Sequence, residues 1–257
     1  MQYEKIQKIQ GLRAIAFLMV FIGHSQFHKV EAFGVCGVSI FLLLSGMLLT
    51  YNSLNRKITP QHGICGVWGH IKKLYPLHIV MLFFAIIYEL YVIHVSSNGS
   101  VASLTVRSGL DVLLIQAWVP CITWVGGLNG PSWYLCVACF CYLMFPVIFE
   151  KISKVRYKYS PTVLILGFVI LQIIIAFFAG KYGRPLENDW FSTKWITYFC
   201  PITRLIDFCI GCCVGVCCYN HNTDDTEPTK AGGGYRKEYY LRSCIYYNNV
   251  LCDFSLC

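Results

Sequence analysis

Apolar residues in this chain come in long blocks separated by short polar links. Six blocks, at approximately 9–28, 34–51, 74–95, 132–150, 161–180 and 199–219, approach or reach the roughly 20 residues that a helix needs to cross a bilayer. Such runs predict helices, because a helix satisfies its own backbone polar groups in lipid. A seventh apolar block, 109–125, contains Asp111, Gln116 and Pro120, and only the short link 126–131 separates it from the next. The pattern predicts an all-α, polytopic transmembrane bundle of about six spans, with 109–125 interfacial or re-entrant.

Charge placement fixes an expected topology. Arg56, Lys57, Lys72 and Lys73 lie between the second and third spans, and Lys151, Lys154, Arg156 and Lys158 follow the fourth. The positive-inside rule puts both clusters in the cytoplasm. With Lys5 and Lys8 also inside, six crossings bring Lys230, Arg236, Lys237 and Arg242 back to that side. Seven crossings do not, so 109–125 is expected not to span. The N-terminus has no small-x-small cleavage site after its first apolar run, and it reads as an uncleaved span with a cytoplasmic start. Two regions are expected: a membrane domain over 1–219 and a polar, Gly- and Tyr-rich cytoplasmic tail over 220–257, poorly ordered by composition. No internal repeat is evident.

Composition agrees with the pattern. The chain of 257 residues is 56% hydrophobic and 13% charged, with a mean hydropathy of +0.54, whereas soluble domains carry about 25% charged residues. The net charge of +8 speaks to topology in a membrane protein. No basic-aromatic patch marks a nucleic-acid partner, and the bilayer is the expected surrounding. Most of the fifteen cysteines lie inside apolar runs, where a thiol behaves as a small hydrophobe. Cys-x2-Cys pairs do not recur at zinc-finger spacing, and no metal site is expected.

Candidate chemistry begins at Arg13 and His24, which bracket an apolar run with nothing polar between them. On a helix the eleven steps separating them return to within roughly 20° of one face. The rise over those steps is about 16 Å. Two ionisable groups on one face at different membrane depths are costly and point to function. Arg13 reads either as a positive-inside anchor or as a fork that clamps phosphate or carboxylate. His24 reads either as an interfacial histidine or as a general base, since its ordinary pKa lies nearest neutrality.

Five blocks resemble one family. Leu12-Arg13-Ala14-Ile15-Ala16 with its run to His24 is similar to the opening of the acyltransferase 3 family of membrane-bound carbohydrate O-acyltransferases. Gly34 to Gly46, ending Ser45-Gly46-Met47, resembles the family's Gly-Val-x-x-Phe-Phe-x-x-Ser-Gly-Phe signature. His70 and Lys72-Lys73 before Leu74-Tyr75-Pro76 stand where the family carries an arginine-rich motif. Pro131-Ser132-Trp133 through Tyr142, Phe145 and Pro146 is similar to a further block, with Ala138 and Cys139 where the family has an acidic pair. Pro201-Ile-Thr-Arg204-Leu-Ile-Asp207-Phe208 through Gly211 resembles Pro-x-x-Arg-x-x-Glu-Phe-x-x-Gly. Arg204 and Asp207, three residues apart, can pair on a helix.

The resemblance implies transfer of an acyl group, commonly acetyl, from cytoplasmic acyl-CoA to a carbohydrate hydroxyl, in a bacterial plasma membrane. It implies no bound cofactor, with acyl-CoA as co-substrate and a cell-surface or lipid-linked carbohydrate as acceptor. Arg13 and His24 are then catalytic, with Arg13, His70, Lys72 and Lys73 holding the donor. Ser45, Trp133, Tyr142, Arg204 and Asp207 line the pocket. The family core runs through further spans, so the resemblance also implies a C-terminally shortened member. Two alternatives stand beside it: a transporter with a polar path through Arg13, His24, Glu89, Arg204 and Asp207, and a non-catalytic remnant that keeps only the donor end.

Overall fold

The structure is a computed structural model that describes residues 2–24, 31–56, 63–96, 99–126, 128–155, 160–184 and 190–224. The described elements are helical, with α1 (Gln2–Gly23), α2 (Glu31–Arg56), α3 (Gly63–Ile71), α4 (Tyr75–Ser96) and α5 (Val101–Val112) followed by a 3-10 turn (Gln116–Trp118). Then come α6 (Ile122–Val125), α7 (Ser132–Val155), α8 (Pro161–Tyr182), a π-helical turn (Trp195–Phe199) and α9 (Pro201–Asp224). Among the described residues, five helices are long and apolar enough to cross a membrane: Ala32–Arg56, Tyr75–Val95, Ser132–Ser153, Pro161–Tyr182 and Trp195–His221. The protein is an all-α, multi-pass membrane protein.

One expectation shifts in detail and a second is met. The first expected span is represented by a shorter apolar segment, Gly11–Gly23, because Glu4, Lys5 and Lys8 charge the preceding turns of α1; its expected end, 25–28, lies outside the described residues. The block 109–125 does not form a span. Helix α5 stops at Val112, Leu114 takes a left-handed φ of 54°, and two short turns carry the chain to α7. The expected tail beyond residue 224 lies outside the described residues.

Helix α9 is the central element and α2 packs along it. Their contact is close because each presents glycine: a Cβ added at Gly215 would lie 2.6 Å from the Met47 carbonyl oxygen. The α1–α2 seam repeats the device at Gly37, where a Cβ would lie 2.7 Å from the Ala16 carbonyl oxygen. Small residues let helices approach where lipid offers no hydrophobic drive to associate. Around this core, Phe145 of α7 lies tilted against Phe149 at 5.7 Å and edge-on to Phe208 of α9 at 6.0 Å. Pro146 inside α7 removes the helical donor to the Tyr142 carbonyl. Helices α4 and α8 keep most of their apolar side chains exposed, including Phe83, Phe84, Ile173 and Phe177, as lipid-facing helices do.

Candidate active site

Arg13 lies half-buried on α1, and its charge acts on the hydroxyls of Tyr134 and Tyr142 of α7. Ser45 of α2 stands between these groups. Its hydroxyl donates to the Phe41 carbonyl oxygen at 2.8 Å, leaving its lone pairs for the two tyrosine hydroxyls that it also meets. The Tyr142 ring packs on His70 with centroids 4.7 Å apart. Four of the residues singled out in the sequence, Arg13, Ser45, His70 and Tyr142, therefore gather where α1, α2, α3 and α7 meet. Tyr134 joins them and was not singled out. Among the described residues Arg13 has no carboxylate partner. Partial burial of the His70 ring pushes its pKa down. Lys72 and Lys73 follow in the exposed turn before α4 and supply the adjacent charge.

His24 stands at the other end of α1, where the helix gives way to a turn. Its Nδ1 lies 2.7 Å from the Val20 carbonyl oxygen. A carbonyl only accepts, so Nδ1 carries the hydrogen and Nε2 of the neutral ring presents a lone pair. The ring is exposed. The backbone below it is fixed by close contact with α2: a Cβ on Gly23 would lie 2.5 Å from the Gly34 nitrogen. One continuous helix thus carries both residues, about 16 Å apart along its axis.

Arg204 and Asp207 form a separate group. Arg204 Nη1 donates to Asp207 Oδ2 at 2.7 Å and to Ser39 Oγ at 2.8 Å, and its Nε donates to the Tyr198 carbonyl oxygen at 2.7 Å. The guanidinium also lies 4.7 Å from the centre of the Tyr198 ring. Gln172 of α8 donates to the other carboxylate oxygen, Asp207 Oδ1, at 2.6 Å. Trp133 is buried and packs on Tyr198 and Phe199 of the π-helical turn at 4.8 and 4.9 Å. Trp133 therefore belongs with this group, although Tyr134 beside it faces the Arg13 cluster. Glu89 is engaged by Arg107 at 3.4 Å. Of the acids and bases of a polar pathway, Glu89, Arg204 and Asp207 are thus held in ion pairs, whereas among the described residues Arg13 and His24 are not.

A third polar cluster was missed by sequence reasoning. His78, Asp111, Gln116 and Ser132 are all buried. His78 Nε2 donates to the Asp111 carbonyl oxygen at 3.0 Å, while its Nδ1 accepts from Asn129 at 3.1 Å. Gln116 donates to Ser132 Oγ at 2.9 Å. Ser132 Oγ has one hydrogen and faces two acceptors, the Asn129 carbonyl at 2.7 Å and Asp111 Oδ1 at 3.1 Å. A proton on Asp111 completes the set. Burial pushes the Asp111 carboxyl up to about 6, against the opposing Ser132 bond and the charge of Arg107. The signal was present in part, since Asp111 and Gln116 interrupt an apolar block; their partners come from positions 78, 129 and 132. Among the described residues no group of three or more His, Cys, Asp or Glu is arranged to hold a metal.

Comparison with known proteins places these residues in context. A family described as an acyltransferase domain matches residues 6–221. Acyltransferase MdmB of Streptomyces mycarofaciens is 28% identical over 233 residues, which is 80% of this chain and 56% of MdmB. The chain thus spans about half the length of the curated relative it matches. No solved structure matches.

Proposed function

The chain belongs to the acyltransferase 3 family, whose pattern covers residues 6–221, and on that premise we propose that it acylates a hydroxyl group from acyl-CoA. The donor is a cytoplasmic acyl-CoA, the acyl group is acetyl, and the acceptor is a carbohydrate at the outer side of a bacterial plasma membrane. The N-terminus is cytoplasmic in this reading. The observation that supports it is α1 itself, which carries a guanidinium without a carboxylate partner among the described residues and an imidazole whose Nε2 is left basic by the bond to Val20.

Arg13, with Lys72 and Lys73, receives the phosphates of the donor, and His70 adds a neutral hydrogen-bonding ring. Arg can grip phosphate with two parallel bonds, whereas the lysines act as point charges. The hydroxyls of Ser45, Tyr134 and Tyr142 line the way between. The pantetheine arm runs along α1 toward His24, a span of about 16 Å. There Nε2 takes the proton of the acceptor hydroxyl as its oxygen bonds to the thioester carbonyl carbon. The carbon–sulfur bond then breaks, and the leaving thiolate takes the proton, so ester and free thiol are the products.

The test uses the protein in nanodiscs with radiolabelled acetyl-CoA and a carbohydrate acceptor. His24→Ala is expected to lower transfer about a hundred- to ten-thousandfold, the usual worth of a general base, with the melting temperature unchanged. Undiminished ester formation in that variant rejects the assignment.

A further inference from the structure

Helix α3 packs on the core through Val67 and Ile71, which lie one turn apart on the same ridge. The next two ridges face outward. One carries Trp68 and Lys72 and the other Gly69 and Lys73, since residues four apart share a helix face. The Lys72 amide still donates to the Trp68 carbonyl oxygen at 3.0 Å, so the helical turn extends through the first lysine. All four residues are exposed, Trp68 to 49%. The indole is held in place by Tyr75, whose ring lies 5.8 Å away at 67°. Tyr75 is itself fixed, its hydroxyl donating to the Val112 carbonyl oxygen at 3.0 Å. Next to Trp68 is open space, because a Cβ added at Gly69 meets no atom within 4 Å. The charge of this face is unbalanced: no Asp or Glu stands between Glu31 and Glu89, and among the described residues neither lysine meets a carboxylate.

We propose that this face is a nucleotide platform, on which a purine base stacks on Trp68 above the gap at Gly69 while phosphates of the same nucleotide meet Lys72 and Lys73. Every base has a π-face that an aromatic side chain can receive, and lysines hold phosphate as point charges without demanding one geometry. Indole and ammonium groups are set about one helical turn apart, roughly 5.4 Å along the axis, as base and phosphate are set apart by a ribose. The ligand chemistry is that of an adenosine bisphosphate, which forms one end of coenzyme A. The source of the nucleotide therefore rests on the acyl-CoA reading, in which Lys72 and Lys73 are already donor cations; Trp68 and Gly69 add recognition of the base. Anchoring in lipid, the common use of an interfacial tryptophan, is a weaker account of this indole. Its exposed neighbours on the face are a glycine and two lysines, whereas lipid-facing α4 presents Leu77, Met81 and Phe84 along one side.

The test is calorimetric titration of adenosine 3′,5′-bisphosphate, and separately of pantetheine 4′-phosphate, into the full chain in phosphatidylcholine nanodiscs. Base stacking is worth about five- to a hundredfold in affinity. Trp68→Leu is accordingly expected to weaken the bisphosphate at least about fivefold and to leave pantetheine 4′-phosphate unchanged. Trp68→Phe keeps a ring and is expected to retain most of the affinity. Gly69→Leu fills the gap without loss of helix propensity and is expected to weaken the bisphosphate as Trp68→Leu does. Melting temperatures of all three variants are expected to stay near wild type. The platform is overturned if wild type does not bind the bisphosphate, or if Trp68→Leu and Gly69→Leu bind it as wild type does. An equal loss for both ligands overturns it too, as the mark of a structural effect. So does Trp68 fluorescence, taken as the difference from Trp68→Phe, that brominated lipid quenches and the bisphosphate does not. If the bisphosphate binds as expected while acetyl-CoA gives no ester, the platform stands and the transfer reading fails. If ester forms from acetyl-CoA with the same KM in wild type and Trp68→Leu, transfer stands and the platform is overturned.

Discussion

Arg204 and Arg13 occupy the helices that flank α2, and the protein treats them in opposite ways. Arg204 is buried and commits its Nε and Nη1 to Tyr198, Ser39 and Asp207, with Gln172 holding the carboxylate from behind. Arg13 is half-buried among hydroxyls and meets no carboxylate among the described residues. The first charge is consumed in joining α2, α8 and α9. The proposed function assigns the second to the anionic donor. Equal charge on neighbouring helices thus does different work, decided by whether a carboxylate stands within reach.

Substitutions at the two arginines separate these roles most sharply. Arg204→Ala leaves Asp207 as an uncompensated buried charge and should cost roughly 3 to 5 kcal/mol of stability, read as a large fall in melting temperature or loss of folded protein in detergent. A melting temperature close to wild type contradicts the view of Arg204 as a helix-joining charge.

The Asp111 cluster gives a smaller effect with a defined pH signature. Its folded pKa, about 6, stands above the ordinary 3.8, so the folded state holds a proton that the unfolded chain has already released. The stability from that neutral carboxyl is complete below about pH 4, falls as pH rises to about 6, and is gone above it. Across that window the loss should be on the order of 2 to 3 kcal/mol. Asp111→Asn imitates the protonated acid and should flatten the slope in thermal melts taken from pH 4 to 7. A slope that persists in the variant places the titrating group elsewhere. Smallest is the pair Lys72→Gln and Lys73→Gln: exposed lysines contribute at most about 1 kcal/mol each, so coenzyme A affinity should fall a few-fold and most visibly at low salt. Salt-independent affinity in the doubly substituted protein and wild type alike removes the turn from the donor site.

These differences also show what a sequence can carry. The spans were legible because length and unbroken apolarity suffice to specify a membrane helix, and the interruption by Asp111 and Gln116 was enough to set 109–125 apart. The Arg204–Asp207 pair was legible too, since three residues along a helix is a local relation. The gathering of His70 with Tyr142, and of His78 with Asn129 and Ser132, was not, because those partners are brought together by packing over long sequence separations. Nor did the sequence Trp195-Ile-Thr-Tyr-Phe199 announce a π-helical turn. In the fold, that turn lies between α8 and α9, with Trp133 packed on Tyr198 and Phe199.

The central claim is that Arg13 is kept available for the anionic donor. Calorimetric titration of coenzyme A into the purified protein, wild type against Arg13→Gln, tests it most directly, with melting temperatures recorded on the same samples. The account predicts at least a tenfold loss of affinity, about 1.4 kcal/mol, with the melting temperature nearly unchanged. Equal affinity in the two proteins, with both folded, would contradict it.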